Sequence, residues 1–98
     1  MHNQTHYLIR QTMSPYTTKG KTSAYKKKQI TRLISILEQI MNKEGDPRLE
    51  AIGKRQIIRY WKSTEEESHK TRREKYSILR KFFSLYNPKI TVPEPKEP

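Results

Sequence analysis

The stretch Ile52-Gly-Lys-Arg-Gln-Ile-Ile-Arg-Tyr-Trp-Lys-Ser-Thr-Glu-Glu-Glu-Ser-His-Lys-Thr-Arg-Arg-Glu-Lys-Tyr-Ser-Ile-Leu-Arg-Lys-Phe-Phe-Ser-Leu-Tyr86 decides the fold. It reads as a short helix, a polar turn and a longer helix. In the first, Lys54 to Lys62, the pattern buries Ile57, Ile58 and Trp61 and exposes Lys54, Arg55, Arg59 and Lys62. Gly53 is placed to be its N-cap. Ile52 and Ile57 then stand at the two positions of a hydrophobic staple, and Gln56 stands where a side chain reaches back to the cap. Ser63 to Glu67 is the turn, with Thr64-x-x-Glu67 and Ser68 as competing starts of the next helix. That helix carries an apolar stripe of Tyr76, Leu79, Phe83 and Tyr86, widened by Ile78, Phe82 and Leu85, and Asn87-Pro88 stops it.

Upstream, Ser23 is expected to cap a helix running to about Asn42. Its apolar residues are Ile30, Leu33, Ile34, Leu37, Ile40 and Met41, the spacing of one helical face. Gly45 supplies its C-terminal cap, and Asp46-Pro47 opens a helical turn with Pro in first position. Residues 1–22 are expected to form a flexible arm or a short helix, with a loop from Ser14 to Thr22. The core domain is 23–87, and 88–98, with Pro93, Pro95 and Pro98 among charges, is expected to be an extended, solvated linker. The fold class is all-α: a small bundle of three to four helices.

The chain has 98 residues, 32% of them hydrophobic, so any core is small. Lys and Arg number 21 against 10 Asp and Glu, a net charge of +11. A charge that large and clustered points to a polyanionic partner. There is no cysteine, so disulfides and thiolate metal sites are excluded. No apolar run approaches the roughly 18 residues of a membrane span, and the first residues lack the pattern of a signal peptide. A cytoplasmic, nucleoid-associated protein with no membrane partner is the simplest reading.

The cations gather in the leading halves of the helices: Lys26, Lys27, Lys28 and Arg32; Lys54, Arg55 and Arg59; Lys70, Arg72, Arg73 and Lys75. Cations oppose the helix dipole at that end, and a bound phosphate offsets the cost. Helix N-termini aim backbone N–H groups at anions, and several together hold a nucleic-acid backbone in register. Most aromatic residues lie on core stripes rather than on stacking platforms, which favours double-stranded DNA over single strands. Tyr60 and Trp61 are adjacent, so the pattern sends only one of them inward, and Trp61 is the better core residue. Tyr16 and Tyr25 are scattered candidates for exposure. His2 and His6 have the i, i+4 spacing of a metal pair, but no third ligand accompanies them. Glu65, Glu66 and Glu67 are consecutive and cannot share a face; they suit the dipole of the following helix. No phosphate loop, nucleophile elbow or catalytic carboxylate pair is present, and no cofactor is expected.

Ser23-Ala24-Tyr25, Leu49-Glu50-Ala51-Ile52, Gln56-Ile57-Ile58-x-Tyr60-Trp61-Lys62, Ser68-x-x-Thr71 and Ile78-Leu79-Arg80-Lys81-Phe82-Phe83 follow one order. Over roughly Ser23 to Tyr86 the chain resembles the N-terminal core-binding (SAM-like) domain of phage integrases and other tyrosine recombinases. The resemblance implies a helical bundle that clamps one side of a core DNA site, without catalysis of its own. A separate C-terminal domain of the parent chain would cut and rejoin strands through a tyrosine-phosphate intermediate, and several copies would assemble on DNA. It implies that Ser68 and Thr71 lie near phosphates, that Lys70, Arg72 and Arg73 contact them, and that the basic half of the Ser23 helix is a second DNA-facing element. His69-x-x-Arg72 matches a catalytic motif of that family only by coincidence, and Gly53 stands where the family often has Thr or Ser. The alternatives are a helix-turn-helix regulator and a basic protein-interaction module.

Overall fold

A computed structural model describes residues 3–18 and 24–96. The chain is all-α. Its elements are α1 (Asn3–Thr12), α2 (Ser14–Thr18), α3 (Ala24–Glu44), a 3-10 turn (Leu49–Ala51), α4 (Lys54–Ser63) and α5 (His69–Tyr86). Ser23, the expected cap of α3, lies outside the described residues. The long α3 is the spine: α5, α4 and α1 all pack against it, and α1 also touches α5.

The helical stripes meet as their spacing requires. Ile30, Leu33, Ile34, Leu37, Ile40 and Met41 of α3 are buried against Ile57 and Trp61 of α4 and Ile78, Leu79, Phe82 and Phe83 of α5. Ile36, which lies off the expected stripe, is buried as well, because α3 is covered on more than one side. Two expectations for α4 are corrected. Tyr60 and Trp61 are both buried, at 2% and 3% exposure, while Ile58 is exposed. Adjacent residues go inward together because α4 is sandwiched between the bundle on one side and the C-terminal tail on the other.

Local chemistry sets the boundaries. At the end of α3, Gly45 takes φ +67°, and the Asp46 N–H donates to the Met41 carbonyl at 3.2 Å, closing a Schellman turn. The next turn begins later than Asp46-Pro47 suggested, because the Asp46 carboxylate accepts from the Arg48 N–H and so holds 46–48 out of the helix. Gly53 does cap α4, and its N–H donates to Gln56 Oε1 at 2.9 Å; Ile52 and Ile57 are both buried. Thr64 ends α4 rather than starting α5. Ser68 is the α5 N-cap, its hydroxyl oxygen accepting from the Thr71 N–H at 3.2 Å.

The two ends of the chain depart most from expectation. The segment read as a loop from Ser14 is helical through Thr18. Ile9 and Met13 are fully buried, so 3–18 is part of the bundle rather than a loose arm. The tail is extended from Thr91 but only partly solvated: Val92 is 6% exposed, and the Pro93 carbonyl accepts from the Trp61 indole N–H at 2.8 Å. An extended proline-rich chain has no internal hydrogen bonds, so its carbonyls are free to take donors from the body. The radius of gyration, 13.0 Å, is that of a closed domain of this length (about 13 Å) rather than a core with trailing ends.

Candidate nucleic-acid interface

Ala24, Lys27, Lys28, Thr31, Arg32, Ser35 and Gln39 recur along α3 at helical intervals and form one wall of an open groove of about 570 Å³, with Lys75 of α5 on the other side. Across it, Arg32 Nη1 pairs with the Glu74 carboxylate of α5. The Arg32 hydrogen bond, aided by the charges of Arg32, Lys70 and Lys28, holds the Glu74 carboxyl below its usual range against an opposing desolvation effect. The leading halves of α3 and α5 therefore converge, and one carboxylate sits among three cations. Lys27, Lys28 and Lys70 are exposed there.

Lys75 lines the groove, but its charge is taken up inside the fold. Its ammonium lies 2.7 Å from Glu67 and donates to the Tyr60 hydroxyl at 3.0 Å. Burial alone would lower its pKa, but these two partners more than compensate and raise it. Glu67, expected to serve the α5 dipole, is thus committed to Lys75. Ser68 and Thr71 bond each other: the Ser68 hydroxyl donates to Thr71 Oγ1 at 2.9 Å, so this Ser-x-x-Thr is a working cap.

The largest correction concerns Arg72. It is 4% exposed. Nη1 donates to the Lys96 carbonyl at 2.8 Å, Nη2 to the Trp61 carbonyl at 2.9 Å, and the guanidinium lies 5.9 Å from the Trp61 ring centroid. A cation at the C-terminal end of α4 suits that helix's dipole, and Arg72 acts as an internal clamp, not a phosphate contact. Arg73 is exposed but lies over Tyr76 and 3.6 Å from Glu94 of the tail. Lys54 belongs to a different cavity of about 350 Å³, between α4 and the tail, which shares no lining residue with the groove. Arg55 is exposed on α4 and lines neither. Lys26 packs inward, its ammonium 5.6 Å from the Tyr16 ring centroid.

Thus the structure places Lys27, Lys28 and Arg32 on one groove wall, sets Lys70 with Lys28 and Arg32 around Glu74, leaves Lys54 and Arg55 apart, and withdraws Arg72. Glu74 carries no local signal in the sequence, because its partner is 42 residues away. Tyr25, one of two tyrosines expected to be scattered and exposed, is 62% exposed, its hydroxyl accepting from the buried Gln29 amide at 2.9 Å. A signal for Tyr25 was present: it shares a helical face with Lys28 and Arg32 at i, i+3 and i+7. Tyr16 is close to it, and burial together with Tyr25 raises the Tyr16 pKa.

Among the described residues no three His, Cys, Asp or Glu side chains gather as metal ligands, and no helix is long and apolar enough to cross a membrane. His2, one half of the spaced histidine pair, lies outside them. No protein-family model, curated protein or solved structure matches the chain, so its groove must be interpreted from its own chemistry.

Proposed function

We propose that the chain is a non-catalytic DNA-binding module that clamps a duplex, in the manner of the core-binding domain of a tyrosine recombinase, and that it works beside a catalytic domain of the same parent protein. The observation that carries this reading is the meeting of exposed Lys27 and Lys28, on the α3 wall of one open groove, with Lys70 of α5, which acts with Lys28 on the Glu74 carboxylate that Arg32 binds. Three cations, Arg32, Lys70 and Lys28, act on one carboxylate there, on a chain of net charge +11. Such a surface neutralises phosphates and releases their counterions. The orientation of the groove between two helices holds a backbone in place and reads no bases by itself.

Fluorescence anisotropy with a duplex of about 20 base pairs, repeated over a range of salt, tests it. Wild-type affinity should fall linearly with salt on logarithmic axes. Lys27→Ala/Lys28→Ala/Lys70→Ala should remove up to about 2.7 from that slope, roughly 0.9 for each lost phosphate contact, with helicity by circular dichroism unchanged. A slope and affinity equal to wild type would overturn the reading. Footprints over two half-sites one helical turn apart would instead mark a dimeric regulator, and binding to an acidic protein that excess duplex leaves untouched would mark a protein-interaction module.

A further inference from the structure

We propose that Tyr25 is a stacking platform for an unpaired base at the mouth of the groove, so that the module prefers a duplex carrying a single-stranded extension to a blunt one. This rests on the groove being the DNA surface and adds a ligand feature to it.

Tyr25 stands in the first turn of α3 and is 62% exposed. An exposed tyrosine on a helix ordinarily samples several rotamers. This one is held: the Gln29 amide, on a side chain only 4% exposed, donates to its hydroxyl at 2.9 Å. The amide fixes one edge of the ring and leaves the ring itself open to solvent. The face it occupies is also the basic one. Lys28 and Arg32 follow at i+3 and i+7, so ring, ammonium and guanidinium are aligned along about 10 Å of helix. Tyr16 backs the patch, with the Lys26 ammonium 5.6 Å from its ring centroid, and the raised Tyr16 pKa places the two phenols within electrostatic reach. Fixed aromatic faces beside a cationic track are what single-strand sites are made of, since every base has a π-face and every linkage a charge. The duplex would lie along Lys27, Lys28 and Lys70, and the first unpaired base beyond its end would stack on Tyr25.

The test compares three probes by anisotropy at one salt concentration: a blunt duplex, the same duplex with a single-stranded extension of about six nucleotides, and the extension alone. A 2-aminopurine replaces the first unpaired base in a parallel set. The wild type should bind the extended duplex more tightly than the blunt one by roughly 5- to 150-fold, the range for one stacked base, and should quench the 2-aminopurine. Tyr25→Ala should bring the two duplexes to equal affinity and abolish quenching while leaving blunt-duplex affinity within about twofold. Tyr25→Phe and Tyr25→Trp, which keep a ring, should retain the preference. Equal wild-type affinity for blunt and extended duplex, or a preference that survives Tyr25→Ala, overturns this inference and leaves the groove's duplex binding intact. Failure of the wild type to bind blunt duplex at all overturns the underlying reading instead.

Discussion

Lys70 and Arg72 are two residues apart on α5 and have opposite fates. Lys70 is exposed beside Glu74 at the α3–α5 groove. Arg72, turned roughly 200° around the helix, is buried under the C-terminal tail, where the carbonyls of Trp61 and Lys96 take its donors. The groove presents charge outward; the region around α4 and the tail consumes it. A cation is available to an outside anion only where the fold offers it no acceptor of its own. Counting Lys and Arg in a helix's leading half therefore overstates a binding surface: here Arg32, Arg59, Arg72 and Lys75 all have acceptors within the fold.

Breaking the tail side should show first in stability. Trp61→Ala removes a buried ring and the indole donor to Pro93, and should cost roughly 3–5 kcal/mol, enough to leave much of the protein unfolded in a thermal or urea melt. Arg72→Met leaves two carbonyls without their charged donor and should cost about 1.5–3 kcal/mol. Its duplex affinity, corrected for folded fraction, should stay at wild type; a specific loss would return Arg72 to the groove. Ending the chain at Thr91 removes buried Val92 and the carbonyls of Pro93 and Lys96. We expect this to lower stability by about 1–3 kcal/mol, or several degrees or more of melting temperature for a domain of this size. An unchanged melt would mean the tail is not bound in solution.

The groove side should behave in reverse. Lys70→Ala should move stability by no more than about 0.5 kcal/mol while weakening duplex binding and its salt dependence. The two sides also differ in pH response. Glu74 in the groove has a lowered pKa, as does Asp46, brought to about 2 first by the Arg48 side chain and then by its backbone N–H. Depressed carboxyl pKa values favour the fold above the unfolded-state values, near 4, and that contribution fades as pH falls through the folded values. Lys75, inside, has a raised pKa. Its contribution is complete below its unfolded value, about 10.4, and is lost as pH climbs through the folded one. Melting temperature against pH should therefore fall at both limbs, and Lys75→Met should flatten only the alkaline one.

Much of the bundle was legible because helical burial has a short period. The stripes of α3 and α5, the Gly45 and Gly53 caps and the stop at Asn87-Pro88 each follow from residues within a turn or two of one another. A short N-terminal helix was one of two readings, but the second helix from Ser14 and the packing of both against the bundle were not legible. Only Ile9 and Met13 are buried there, and a two-residue face in a polar segment gives no periodic signal. Tyr60 was misjudged for a related reason: one helix period assumes one covered side, and α4 has two. Within the site, the clusters on α3 and α5 were readable as charge and were expected to share one surface, but which side chains meet there was not readable.

Neighbours within a few residues set the three main helices, the Gly45, Gly53 and Ser68 caps and the excess of positive charge. Which acceptor each cation finds is a matter of packing, since Arg32 reaches Glu74 across 42 residues and Arg72 reaches the Lys96 carbonyl across 24. Those pairings are set by how apolar stripes pack and where an extended tail lies down, and no local pattern of charges encodes them.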